Sequence, residues 1–220
     1  MAAASSSTPK PDHVIIWLDE NMAIPENNKF EKKLLETRAD VASMPRSASN
    51  EAIDQAILCV EQAIRDRLVI DPLHMFTDED ACLEFINQCF ENNQQPFLIT
   101  SGRKGPFIVP DMHERLTGKI YVCCANRAKH EKWAKPYRQH LEIYDDEKSV
   151  FVTVLCGVAA YYVAKGQDDA CNLSDAEQYF EWSIKLYESA TKIDGKNRDA
   201  YIKAVEDEVQ DKYAKVALIE

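Results

Sequence analysis

The pattern that most constrains this chain is an alternation. Between His13 and Gly166, short apolar runs are separated by longer stretches of helical period. The runs are VIIWL (14–18), LHMF (73–76), PFLIT (96–100), KIYVCC (119–124) and LEIY (141–144). Each is too short for a helix and rich in β-branched or aromatic residues, so each predicts a strand. Most do not alternate between polar and apolar, which is the signature of strands covered on both faces. The helical stretches are 27–38, 50–67, 78–92, 108–117 and 127–137. In 50–67, Ile53, Ala56, Ile57, Val60, Ala63 and Ile64 fall on one face, and Asp78 is placed to cap the helix over 78–92. Five strands alternating with helices predict a parallel sheet in a doubly wound, flavodoxin-like α/β fold, strand order 2-1-3-4-5.

Residues 37–49, which contain SMPRSAS, interrupt the first crossover and read as an insertion. Residues 1–12 are small and polar without an apolar core, so they read as a disordered lead ahead of an α/β domain over 13–166. VFVTVLCGVAAYYVA (150–164) is too short to span a bilayer and predicts a buried helix, so no membrane contact is expected. Residues 172–220 carry no strand signal and predict a helical hairpin turning at Asp194-Gly195-Lys196. Ser174 and Glu177 form a capping-box pattern at its start, and Gly195 closes its first helix. Tyr179, Phe180, Trp182, Ile184, Leu186 and Tyr187 give that helix an aromatic surface. The hairpin resembles one tetratricopeptide-like unit, and a lone unit must pack on the sheet domain or on a partner.

A net charge of −11 repels phosphates over most of the surface and excludes a nucleic-acid-binding body. Cys59, Cys82, Cys89, Cys123 and Cys156 sit in apolar periodic segments and read as reduced, buried side chains in a cytoplasmic protein. Cys123-Cys124 with His130 lacks a second ligand pair at zinc spacing.

In an open parallel sheet, ligands bind beyond the carboxyl ends of the strands. Those ends divide by charge. Asp19-Glu20, Asp78-Glu79-Asp80 and Asp145-Asp146-Glu147 are acidic, whereas Ser101-Gly102-Arg103-Lys104-Gly105 and the segment with Arg127 and Lys129 are basic. Asp19 and Glu20, with Asp145, are the candidate oxygen ligands for Mg²⁺. Ser101 lacks a nucleophile-elbow pattern. Asp111 and His113 are two apart, so on one helix they do not face each other. His130, Glu131 and Trp133 read as a packed tryptophan among charged neighbours.

VIIWLDEN followed by PENNKFEKKLLE resembles the opening of response-regulator receiver domains, whose first strand ends in a magnesium-holding acidic pair. The rest of the receiver set is missing. Thr100-Ser101 stand where the phospho-accepting Asp would follow strand 3, Cys124-Ala125 follow strand 4, and Asp145-Asp146 replace the Lys after strand 5. FLITSGRKGPFIVPDMHERL is similar to the third-strand segment of Toll/interleukin-1-receptor (TIR) domains, with FTDEDACLEFI in the place of their interaction loop. That resemblance implies NAD as substrate, Glu114 as the catalytic carboxylate on a helix opening at Pro110-Asp111, and Ser101 to Gly105 as the cofactor-binding loop. It lacks the usual Trp-Cys pair ahead of the glutamate.

The expectation is therefore a non-catalytic, intracellular protein-interaction module in signalling, without a resident cofactor. Its candidate contacts are Asp78, Glu79, Asp80, Arg103, Lys104, Arg127, Lys129 and Trp133, with self-association between oppositely charged edges. The rival is a TIR-like NAD nucleosidase acting through Glu114.

Overall fold

The computed structural model describes residues 11–20, 74–168 and 170–217. The expected helices at 27–38 and 50–67, the insertion at 37–49, Leu73, Cys59 and lead residues 1–10 lie outside the described residues.

Five strands, β1 (His13–Leu18), β2 (His74–Phe76), β3 (Gln95–Ser101), β4 (Ile120–Cys123) and β5 (Leu141–Tyr144), form one parallel sheet in the order β2-β1-β3-β4-β5. The fold is flavodoxin-like α/β. The described helices are α1 (Glu79–Glu91), α2 (Gly105–Met112), α3 (Arg127–Ala134), α4 (Glu147–Gln167), α5 (Leu173–Asp194) and α6 (Asp199–Ala217).

Strand periodicity divides the core in two. Every residue of β1 is buried. Ile15 and Trp17 join Phe97, Ile99 and Tyr121 on one face, under α4 and α5. Val14, Ile16 and Leu18 join Leu98, Ile120 and Val122 on the other, under α1, α2 and α3. Helix α4 is longer than the apolar run within it, because Asp146 caps it through the Ser149 N–H and adds a polar first turn. By length and composition it would pass for a membrane span. Here it lies between the sheet and α5. Val150, Val154, Val158 and Tyr162 are buried, while Phe151, Cys156 and Tyr161 are half-buried, so it is less enclosed than the sequence suggested.

The aromatic surface of α5 is an inner face. Phe180, Trp182, Leu186 and Tyr187 are buried in the same cluster as the sheet, and Tyr162 stacks on Tyr179 and meets Trp182 edge-on. The cap of α5 is Asn172, not Ser174. The Asn172 side chain accepts from the Asp175 N–H and donates to the Asp175 carboxylate, closing the box two residues earlier than expected. Gly195 adopts φ 72° and its N–H reaches Thr191, as a left-handed C-terminal cap requires. Arg198 then grips Asp194 through two hydrogen bonds of 2.8 and 2.9 Å, fixing the turn into α6.

At the amino end of the sheet, Asp12 accepts from the Tyr161 hydroxyl and from Lys165, so this residue of the expected lead is tied to α4. His13 is fully buried and its Nδ1 lies 2.8 Å from the Tyr162 hydroxyl. Burial lowers its pKa to about 4, against the opposing charge of Asp12. The folded protein thus holds a neutral imidazole where the unfolded chain, between pH 6.5 and 4, carries a proton. The contribution of His13 to stability is flat above pH 6.5 and is lost as the pH falls across that window, by about 3 kcal/mol for a shift of this size. Urea denaturation at pH 7 and pH 4.5 is expected to show this loss in the parent. In His13→Leu, less stable at pH 7, the His13 share of the pH slope disappears; an unchanged slope contradicts the assignment.

Candidate functional site

The carboxyl edge of the sheet is where this architecture places ligands, and it collects most of the sequence-predicted residues. Asp19 and Glu20 leave β1, Asp78 to Asp80 leave β2, and Ser101 to Gly105 turn from β3 into α2. Arg127 and Lys129 open α3, and Asp146-Glu147 open α4.

The acidic and basic loops meet inside one molecule. Lys104, with a side chain only 15 % exposed, bonds Glu79 at 2.8 Å, and this hydrogen bond holds the Glu79 carboxyl below its usual range. Arg103, 72 % exposed, reaches Glu20 at 2.6 Å. Asp78 accepts from the Ala81 N–H and caps α1, while Asp80 stays exposed. Lys104 therefore has its counter-charge within the molecule.

The β3–α2 turn is built by close packing. A Cβ on Gly105 would stand 2.5 Å from the Trp133 ring, and one on Gly102 would stand 2.7 Å from both the His130 ring and Cys124. The Trp133 indole N–H donates to Nδ1 of His130 at 3.3 Å, leaving the imidazole proton on Nε2, beside Gly102. Burial, with Lys129 nearby, lowers the His130 pKa. Trp133 thus packs against the loop at Gly105 and is itself half-buried. The Ser101 hydroxyl accepts from the Lys104 N–H at 3.3 Å, an internal turn contact. Arg127 and Lys129 are exposed, Arg127 lying 3.7 Å from Glu131.

The acidic pair after β1 is split. Glu20 turns to Arg103. Asp19 lies near Glu147, whose carboxyl is raised by burial and then by Asp19 and Asp146. Burial and the adjacent Glu147 push the Cys123 thiol up to about 12, which makes it inert as a nucleophile. Among the described residues no three His, Cys, Asp or Glu side chains come together to hold a metal ion.

Helix α2 begins at Gly105 and ends at Met112, where 108–117 was expected. Two prolines four residues apart compete to open it. Pro106 does so, in a first turn that needs no N–H, and Pro110 falls inside the helix. His113 ends it: its Nδ1 lies 2.9 Å from the Pro110 carbonyl. Glu114 consequently lies beyond the helix, 82 % exposed, at the amino edge of the sheet and about 12 Å of helix away from the Ser101–Gly105 loop. The structure does not bring those two parts of the NAD reading together.

What the sequence reading passed over is Phe107, the most exposed large apolar side chain among the described residues at 66 %. The available signal was its spacing. Arg103, Phe107, Pro110, Asp111 and Glu114 recur at helical intervals, and all five are exposed.

No family model, curated protein or solved structure matches this chain.

The packing of the β3–α2 turn is directly testable. Gly105→Ala is expected to cost about 1–3 kcal/mol, because a rigid indole has little room to yield. Gly118→Ala, whose added carbon meets Phe97 at an ordinary 3.7 Å, serves as the control and stays close to the parent. Urea midpoints for the two variants separate these outcomes; equal costs contradict the account of the turn.

Proposed function

We propose that this chain is a non-catalytic protein-interaction module of intracellular signalling, and that it self-associates through the outer face of α2. The observation that carries the reading is Phe107, an aromatic side chain 66 % exposed beside the loop at the sheet's ligand edge. Aromatic residues with arginine dominate the energetics of protein contacts, and Phe107 shares its exposed stripe with Arg103 and Pro110.

The stripe around Phe107 is self-complementary. Arg103 stands at one end, Asp111 and Glu114 at the other, and Phe107 with Pro110 between them. Two copies related by a two-fold axis, with their α2 helices antiparallel, set Arg103 of each opposite Asp111 and Glu114 of the other. Phe107 then lies close to the axis. The Arg103–Glu20 pair is solvent-exposed and therefore weak enough to exchange. Described cysteines that are all free fit a reducing, cytoplasmic setting. The NAD-cleaving alternative draws no support from Glu114, which stands at the opposite end of α2 from the loop meant to hold the dinucleotide.

Sedimentation equilibrium tests the reading. The parent's apparent mass is expected to rise reversibly with concentration. Phe107→Asp returns it to a single chain, and Phe107→Ala weakens association about tenfold. Arg103→Asp weakens it too, and Asp111→Arg in the same chain restores it. A parent of single-chain mass at every concentration, or a Phe107→Asp variant that associates like the parent, overturns the proposal.

A further inference from the structure

Arg103 is claimed from two directions. Within the chain its guanidinium donates to Glu20 at 2.6 Å. Glu20 follows β1, so this contact draws the guanidinium back over the strand ends. Helix α2 buries Ile108, Val109 and Met112 toward the sheet, and its exposed stripe faces the other way. The two-fold contact proposed above sets Arg103 opposite Asp111 and Glu114 of the second copy, on that outer side. One side chain cannot point both ways. Lys104 cannot stand in for it, being 15 % exposed and already bonded to Glu79.

The backbone on each side of the Arg103–Glu20 pair is fixed. Gly102, just before Arg103, is packed so closely that an added Cβ would stand 2.7 Å from both the His130 ring and Cys124. Just before Glu20, the Asp19 N–H donates to the Phe76 carbonyl at 2.9 Å. The choice between partners is therefore made by rotation of the Arg103 side chain on a rigid turn. That side chain is 72 % exposed and Glu20 is 29 % exposed, so the internal pair is screened by water and opens readily.

We infer, resting on the α2 reading above, that Glu20 is a built-in competitor of self-association: it holds Arg103 in the single chain, and each copy must release Arg103 before the two-fold contact closes. Only chains with Arg103 released are competent, so the apparent affinity falls with the fraction released. The competitor acts once in each copy, and its effect on the dissociation constant is the square of its effect on one chain. Exposed ion pairs shift an equilibrium by about 1.4- to fivefold, so removing the Glu20 charge is expected to tighten association about two- to thirtyfold. The carboxyl edge of the sheet then sets how available the α2 face is.

A chain of net charge −11 repels its own copies, and loss of any carboxylate relieves some of that repulsion. The experiment separates this general effect from the competition. Sedimentation equilibrium of the whole chain compares the parent with Glu20→Gln, Glu20→Ala, Arg103→Ala, the Arg103→Ala/Glu20→Gln double variant and Asp207→Asn, which removes an exposed carboxylate on α6. Both Glu20 variants are expected to associate more tightly than the parent. Arg103→Ala is expected to associate more weakly, with no further change on adding Glu20→Gln, and Asp207→Asn to match the parent. An associating parent whose dissociation constant is unchanged or raised in the Glu20 variants overturns this inference and leaves the α2 contact standing. Equal tightening in Asp207→Asn, or tightening by Glu20→Gln that persists without Arg103, assigns the effect to net charge and also overturns it. If the parent and both Glu20 variants all keep single-chain mass at every concentration, the self-association reading falls and this inference with it.

Discussion

A central strand with no solvent face must be covered from both sides, and β1 is such a strand: every residue from His13 to Leu18 is buried. That requirement organises the described structure. It sends odd residues into one core and even residues into another. It also needs a layer of helix over each, with about 1.5–3 kcal/mol for each large apolar side chain removed from water. On one face α1, α2 and α3 supply the cover. On the other, α4 does so while itself being covered by α5, which is why α4 is apolar enough to resemble a membrane segment. The same burial keeps His13 neutral and ties the amino end of β1 to α4 through Tyr162.

The cover decides what the carboxyl edge can do. Helices packed on both faces bring the strand ends close, and their opposite charges find each other within the molecule: Lys104 meets Glu79 and Arg103 meets Glu20. These contacts lie at the carboxyl edge, where open parallel sheets bind ligands. Ser101, Asp78, Asn126 and Asp146 are likewise engaged as turn or helix caps. Among the described large apolar side chains, Phe107 on α2 is the one at this edge that is left facing out.

The strands were legible in the sequence because burial on both faces leaves an uninterrupted apolar run, and the sheet order followed from the alternation with helices. Asp78 as the cap of α1 and Gly195 as the turn after α5 were legible for local reasons, since each acts within four residues of itself. Three features were not. The start of α2 was ambiguous between Pro106 and Pro110, and the choice is tied to tertiary packing, because Gly105 must sit under Trp133. The aromatic face of α5 looked like surface because its cover, α4, is in the preceding segment. The ion pairs that neutralise the Ser101–Gly105 loop join residues 25 and 83 positions apart, beyond the reach of any local pattern.

The proposed self-association runs through the outward face of α2 and not through the strand-end corner. A dilution series followed by backbone amide NMR tests it most directly. The account predicts that shifts changing with protein concentration cluster at Arg103, Phe107, Asp111 and Glu114 and vanish in Phe107→Asp. Concentration-dependent shifts centred instead on Asp19, Asp146 and Glu147, or shifts in α2 that persist in Phe107→Asp, would contradict it.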